Sequence, residues 1–157
     1  MLIRRLARPL LAGVFISGGI DALRHPDTKA KVAADPIEGA ADKLDVQAPE
    51  PEMLVKENGA AMVGAGSLLA LGKVPRLSSL VLAGTLVPTT LAGHRFWEED
   101  DPQRKAQQQV HFMKNLGLLG GLILASVDTA GKPGVAWRAK QAGQRIADAA
   151  PSLPGHN

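Results

Sequence analysis

Apolar and polar positions are segregated along this chain rather than alternating. In the span from Leu6 to Leu23 the run LLAGVFISGGIDAL, which follows Arg8 and Pro9, is broken only near its far end by Asp21. A second run, GAAMVGAGSLLALG, covers 59–72, a third, LSSLVLAGTLVPTTLAG, covers 77–93, and a fourth continues from about Gln109 to Val127. A hydrocarbon core about 30 Å thick needs roughly 20 helical residues to cross it. The pattern therefore predicts spanning helices at about 6–23, 55–72, 76–93 and 108–127. The second is the shortest, with 14 purely apolar residues. Pro88 inside the third removes a backbone hydrogen bond and predicts a kink, with a Ser, a Thr or water satisfying the freed carbonyl.

Between the runs the chain is strongly polar. Residues 24–56 carry HPDTK, ADPIEG and QAPEPE, which read as turn and extended punctuation, so a long solvated loop is expected, with helical turns at most around KVAA and ADKLDV. After the fourth run, Val135, Ala139, Ala142, Ile146 and Ala149 recur at spacings of four, three, four and three, while Arg138, Lys140 and Arg145 lie elsewhere on the wheel. That predicts a basic amphipathic C-terminal helix suited to an anionic surface, with Trp137 near the interface. The expected architecture is all-α: an integral membrane four-helix bundle over residues 1–130, with a polar outer loop and a cytoplasmic amphipathic tail over 131–157.

Composition agrees once the segregation is recognised. The mean hydropathy of +0.01 averages lipid-like runs against water-loving loops. Seventeen glycines with no tyrosine favour close helix approach, the way helices associate in lipid. No cysteine is present, which excludes a disulfide framework, a thiolate nucleophile and any cysteine-ligated iron–sulfur or zinc centre. The net charge of +3 is not gathered into a basic face interleaved with aromatics, so nucleic acid is not an expected partner.

The basic start and apolar run at the N-terminus resemble a signal peptide, but the charged RHPDTKAK follows with no small-residue cleavage site, so a retained helix is expected. Four spans would place both termini on one side. Lys and Arg divide nine and nine between the two sides, and so decide nothing. The short segments do: three arginines, Arg4, Arg5 and Arg8, lead the first helix, and Lys73 and Arg76 flank the tight second turn. Both termini are accordingly expected in the cytoplasm, in the inner (plasma) membrane.

Candidate chemistry gathers between His94 and Gly121. His94 and Arg95 end the third run, with Phe96 and Trp97 at interface depth, where an aromatic belt and a snorkelling cation are the plain structural explanation. His111, Lys114 and Asn115 fall at i, i+3 and i+4 on one helical face, and Gly117 and Gly121 would admit a close neighbour. Asp21 lies one turn from His25 near the outer end of the first helix, where a pairing with Arg95 or Lys114 is expected. Under this topology His25, His94 and His111 converge at the outer mouth of the helices. Histidine hydrogen-bonds a quinone carbonyl or passes protons near neutral pH, and Arg95 or Lys114 would stabilise a reduced anion. Asp21, His94, Arg95, His111 and Lys114 are therefore the candidate reacting groups, with His25, Phe96, Trp97 and Asn115 as cofactor contacts. The histidine spacing has no local metal-ligand pattern, so neither metal nor haem is expected. The acidic EEDD at 98–101, followed by Pro102, reads as a solvated turn, and the glycines of VGAGS as packing.

HRFW followed by HFMKNLGLLGG, read with the opening RPLLAGVFISGGIDALRHP, closely resembles the DoxX family of small four-helix bacterial membrane proteins over about residues 4–127. The long loop and basic tail resemble its actinobacterial branch. The resemblance implies membrane-bound redox work: relatives are linked to thiosulfate:quinone oxidoreductase, and others to a complex with superoxide dismutase and a sulfurtransferase in oxidative-stress and thiol homeostasis. Two functions follow as expectations, a redox-complex subunit passing electrons to quinone, or a non-catalytic scaffold recruiting soluble redox enzymes by its tail. A third, a small anion conductor, rests on Pro88 and the polar face. The lipid bilayer is the expected partner in each, and a homo-oligomer stays open.

Overall fold

A computed structural model describes residues 2–128, Trp137 and residues 140–145, and among these every regular element is helical. The order is α1 (Leu2–Arg24), α2 (Pro26–Leu44), α3 (Pro51–Ala70), α4 (Pro75–Gly93), a 3₁₀ turn (Phe96–Glu98) and α5 (Pro102–Val127). The chain forms two units, Met1–Val127 and Asp128–Asn157. The amphipathic helix expected at 132–150 lies largely outside the described residues, of which Trp137 and residues 140–145 are helical.

Local chemistry sets the helix boundaries. Pro26, Pro51 and Pro75 each stand at a helix start, where the missing N–H costs nothing and φ is already helical. α5 begins at Pro102 because Asp101 caps it, its carboxylate accepting the Arg104 N–H at 2.8 Å. The solvated turn expected at EEDD thus ends in a helix cap, and α5 starts six residues earlier than the apolar run indicates.

The polar stretch 24–56 is the principal correction to the fold. Residues 26–44 are one helix, not a loop. Alanine, lysine and glutamate favour helix, and Pro36 removes only the one bond its own N–H would have made, opposite the exposed Val32. α2 ends at Asp45 in a left-handed conformation, φ 52°, with the Val46 N–H bonded back to the Ala41 carbonyl at 3.1 Å.

α1, α3, α4 and α5 share one core: Ala12 and Phe15, Ala65 and Leu69, Leu82 and Leu86, and Leu122. Their outward faces remain apolar, with Leu6, Leu10, Leu80, Ile123 and Leu124 all exposed. Three helical segments, Leu2–Arg24, Pro75–Glu98 and Pro102–Val127, are long and apolar enough to cross a membrane. α3 has the length but carries Glu52, Lys56 and Glu57 in its first two turns, and it falls outside that set. Apolar spans with exposed apolar faces are stable against lipid and not against water, so the protein is a membrane protein in contact with the bilayer.

α1 and α3 meet at glycine. A Cβ at Gly19 would lie 2.7 Å from the Gly59 carbonyl oxygen and 2.9 Å from the Met62 Cβ; one at Gly66 would lie 2.8 Å from the Ile16 side chain. The close approach expected at Gly117 and Gly121 is absent by comparison. Gly117 has open space around its Cβ position, and Gly121 makes only ordinary contact with Leu11.

Candidate functional site

α4 ends at His94, whose N–H still reaches the Thr90 carbonyl at 3.0 Å while its backbone leaves the helix. This frees the ring to face α5. There it stacks on His111, ring centres 5.2 Å apart and planes 17° from parallel. His94 Nδ1 is 2.7 Å from Gln108 Oε1, and Lys114 Nζ is 3.4 Å from His111 Nδ1. In the amide orientation the structure carries, Oε1 can only accept, so His94 donates from Nδ1 and presents Nε2 as an acceptor. An ammonium can only donate, so His111 accepts at Nδ1 and carries its hydrogen on Nε2. Both histidines are thereby tied through Nδ1, His94 to Gln108 and His111 to Lys114.

One turn further in, Asn115 Nδ2 donates to Thr90 Oγ1 at 3.0 Å, both side chains buried, and the Thr90 hydroxyl donates to the Leu86 carbonyl at 2.7 Å. A polar side chain inside lipid must find such a partner or lose several kcal/mol of hydration (roughly 1–3 for an amide by mutational scales). Around Pro88 the threonines place further hydroxyls on backbone: Thr85 on the Leu82 carbonyl, Thr89 on those of Thr85 and Leu86. These hydroxyls double up on the carbonyls of Leu82, Thr85 and Leu86, not on that of Gly84, the carbonyl that Pro88 frees.

Three aromatic rings adjoin the histidines in sequence. Phe96 and Trp97 meet edge to face at 5.2 Å, and both meet Phe112 the same way, at 5.4 and 5.9 Å. Arg95 turns away to Glu98, 2.8 Å. The stack, Gln108 and Lys114 thus form a polar cluster at the end of α4, and the three aromatic rings form a second cluster from the adjoining residues Phe96, Trp97 and Phe112.

Asp21 and His25 are placed differently from expectation. Asp21 pairs with Lys29 of α2 at 2.6 Å and with His25 Nδ1 at 3.2 Å, rather than with Arg95 or Lys114. Its side chain is half exposed, and the lysine that meets it was hidden in the stretch read as loop. His25 is the residue before α2, bound to Asp21, so the structure joins two of the three outer histidines, His94 and His111. Among the described residues no three His, Asp or Glu side chains gather as a metal site would require.

Sequence reasoning did not single out Gln108, Thr90 or Phe112. Gln108, His111 and Asn115 are spaced by three and four, so one helical face holds all three, a signal present in the sequence. Thr90 and Phe112 had no such mark; each matters because of what lies opposite on the other helix.

The DoxX family model matches residues 3–95, well over half of the chain. The chain belongs to the DoxX family. The DoxX match takes in α1 to α4 and closes on Arg95, so His94 lies inside it, while Gln108, His111, Lys114 and Asn115 come from α5 beyond it. No curated protein and no solved structure matches the chain.

Proposed function

We propose that this DoxX protein is the membrane subunit of a redox complex, in oxidative-stress or thiol and sulfur homeostasis, and that it passes electrons to quinone at the α4–α5 patch. The observation that carries this reading is the His94–His111 stack, with the Lys114 ammonium 3.4 Å from His111 Nδ1. A quinone is a flat ring with two carbonyl oxygens, and these residues suit it. His111 Nε2–H and the Lys114 ammonium would each donate to a carbonyl oxygen, and Phe96, Trp97 and Phe112 would flank the ring. Bound quinone would supply two-electron, two-proton acceptance. His94 and Gln108 hold the stack in register, and Lys114 places positive charge where negative charge would develop. With no cysteine in the chain, electrons or sulfane sulfur would come from soluble partner enzymes of the superoxide dismutase and sulfurtransferase kind.

In this reading α3 also crosses the bilayer. Its 20 residues rise about 30 Å at 1.5 Å each, with Glu52, Lys56 and Glu57 at the outer end. Four crossings would leave both termini on one side, which Arg4, Arg5, Arg8, Lys73 and Arg76 favour as the cytoplasmic one, with the α4–α5 cluster outside and the protein in the inner membrane.

The test is the extractable cofactor of detergent-purified protein, wild type against His94→Ala and His111→Ala. The proposal expects quinone in the wild type and its loss in both variants. Equal quinone content in all three, or none in the wild type, would overturn it and favour the scaffold, whose recruitment would depend on residues 132–157 and not on the histidines.

A further inference from the structure

We infer that the end of the protein opposite the histidine patch holds an anionic phospholipid, its headgroup between the start of α1 and the α3–α4 turn. Arg4, Arg5 and Arg8 lie in the first two turns of α1, and Lys73 and Arg76 lie in and after the turn. Arg8 reaches from one group to the other: its Nη1 lies 3.2 Å from the position a Cβ would take on Gly72, the residue before Lys73. Gly72 has φ +70° and no side chain, which suits both the turn and the arginine lying across it. All five cations lie in stretches of the sequence, 1–20 and 58–97, that contain no Asp or Glu.

The ligand class follows from what borders these cations. On α1, Leu2, Ile3, Leu6 and Leu10 are between 67% and 82% exposed, and across the turn Leu71 and Leu77 are 72% and 62% exposed. A phosphate alone would use only the cations. A molecule with a phosphate head and two acyl chains uses the cations and both apolar borders, as anionic lipids do at basic helix ends. Arg4, Arg8 and Arg76 also hold partners within the chain, and a guanidinium with five N–H donors serves such a partner and a phosphate together. This site is independent of the quinone reading, since it shares no residue with the α4–α5 patch.

The experiment is native mass spectrometry of the full chain released from detergent, titrated with phosphatidylglycerol or phosphatidylcholine of matched acyl chains. Phosphatidylglycerol should bind at least roughly tenfold more tightly, and Arg5→Gln/Arg8→Gln/Lys73→Gln should reduce it to the level of phosphatidylcholine. Lys31→Gln/Lys43→Gln on α2 should leave the preference intact. Equal binding of the two lipids by the wild type would overturn the inference, a result that needs no variant to fold. So would an unchanged preference in the triple variant, or displacement of phosphatidylglycerol by excess inorganic phosphate, which would mark a site for a free anion.

Discussion

The rings of His94 and His111 stack at 5.2 Å, and the residues one turn inward, Thr90 and Asn115, are hydrogen-bonded at 3.0 Å. A step of four back along α4 is matched by a step of four forward along α5. The two ties therefore fix a single antiparallel register, and the buried amide bond holds the outer stack in place.

Thr90 and Asn115 should show measurable coupling. Thr90→Val leaves a buried amide without its acceptor, and Asn115→Leu removes that demand. A double-mutant cycle, read as unfolding of the purified protein in mixed micelles, should give a coupling of about 0.6–1.7 kcal/mol. Additive effects would mean that the bond contributes nothing to the α4–α5 pairing.

Gly19 should not tolerate a side chain. Gly19→Val places its first carbon 2.7 Å from the Gly59 backbone oxygen, a neighbour that cannot rotate away. The expected loss is about 1–3 kcal/mol, seen as reduced melting temperature in detergent. Gly13→Val on the same helix meets nothing within 4 Å and should melt close to wild type. Equal losses at both positions would point to helix propensity rather than the α1–α3 contact.

The lack of cysteine makes each introduced one a unique reporter of side. Lys43→Cys in α2 and Lys73→Cys after α3 should react with a membrane-impermeant maleimide from opposite faces, the first from outside whole cells and the second only after lysis. Labelling of both from one face would show that α3 does not cross.

Much of the fold was legible because lipid imposes a simple rule on sequence. The four apolar runs became α1, α3, α4 and α5, with ends displaced where a proline or Asp101 sets the boundary. α2 was not legible: Pro36 and a high charge density resemble a loop, and its stability as a helix rests on packing against α3 and α4, which composition does not reveal. At the candidate site, helical spacing placed His111, Lys114 and Asn115 on one face. Gln108 shares that face and was legible by the same spacing, whereas His94 and Thr90 meet it only through the α4–α5 register, which no local pattern encodes. The Asp21 pairing was missed for the same reason as α2, because Lys29 belongs to the helix read as a loop.

Trp97 gives the most direct test of the quinone site, since its ring meets Phe112, the neighbour of His111. Only two tryptophans occur, so Trp137→Phe leaves Trp97 as the single reporter. A short-chain quinone titrated into this variant in nanodiscs should quench its fluorescence saturably, and adding His111→Ala should abolish the saturable phase. Linear quenching that is the same with and without His111 would contradict a quinone site between α4 and α5.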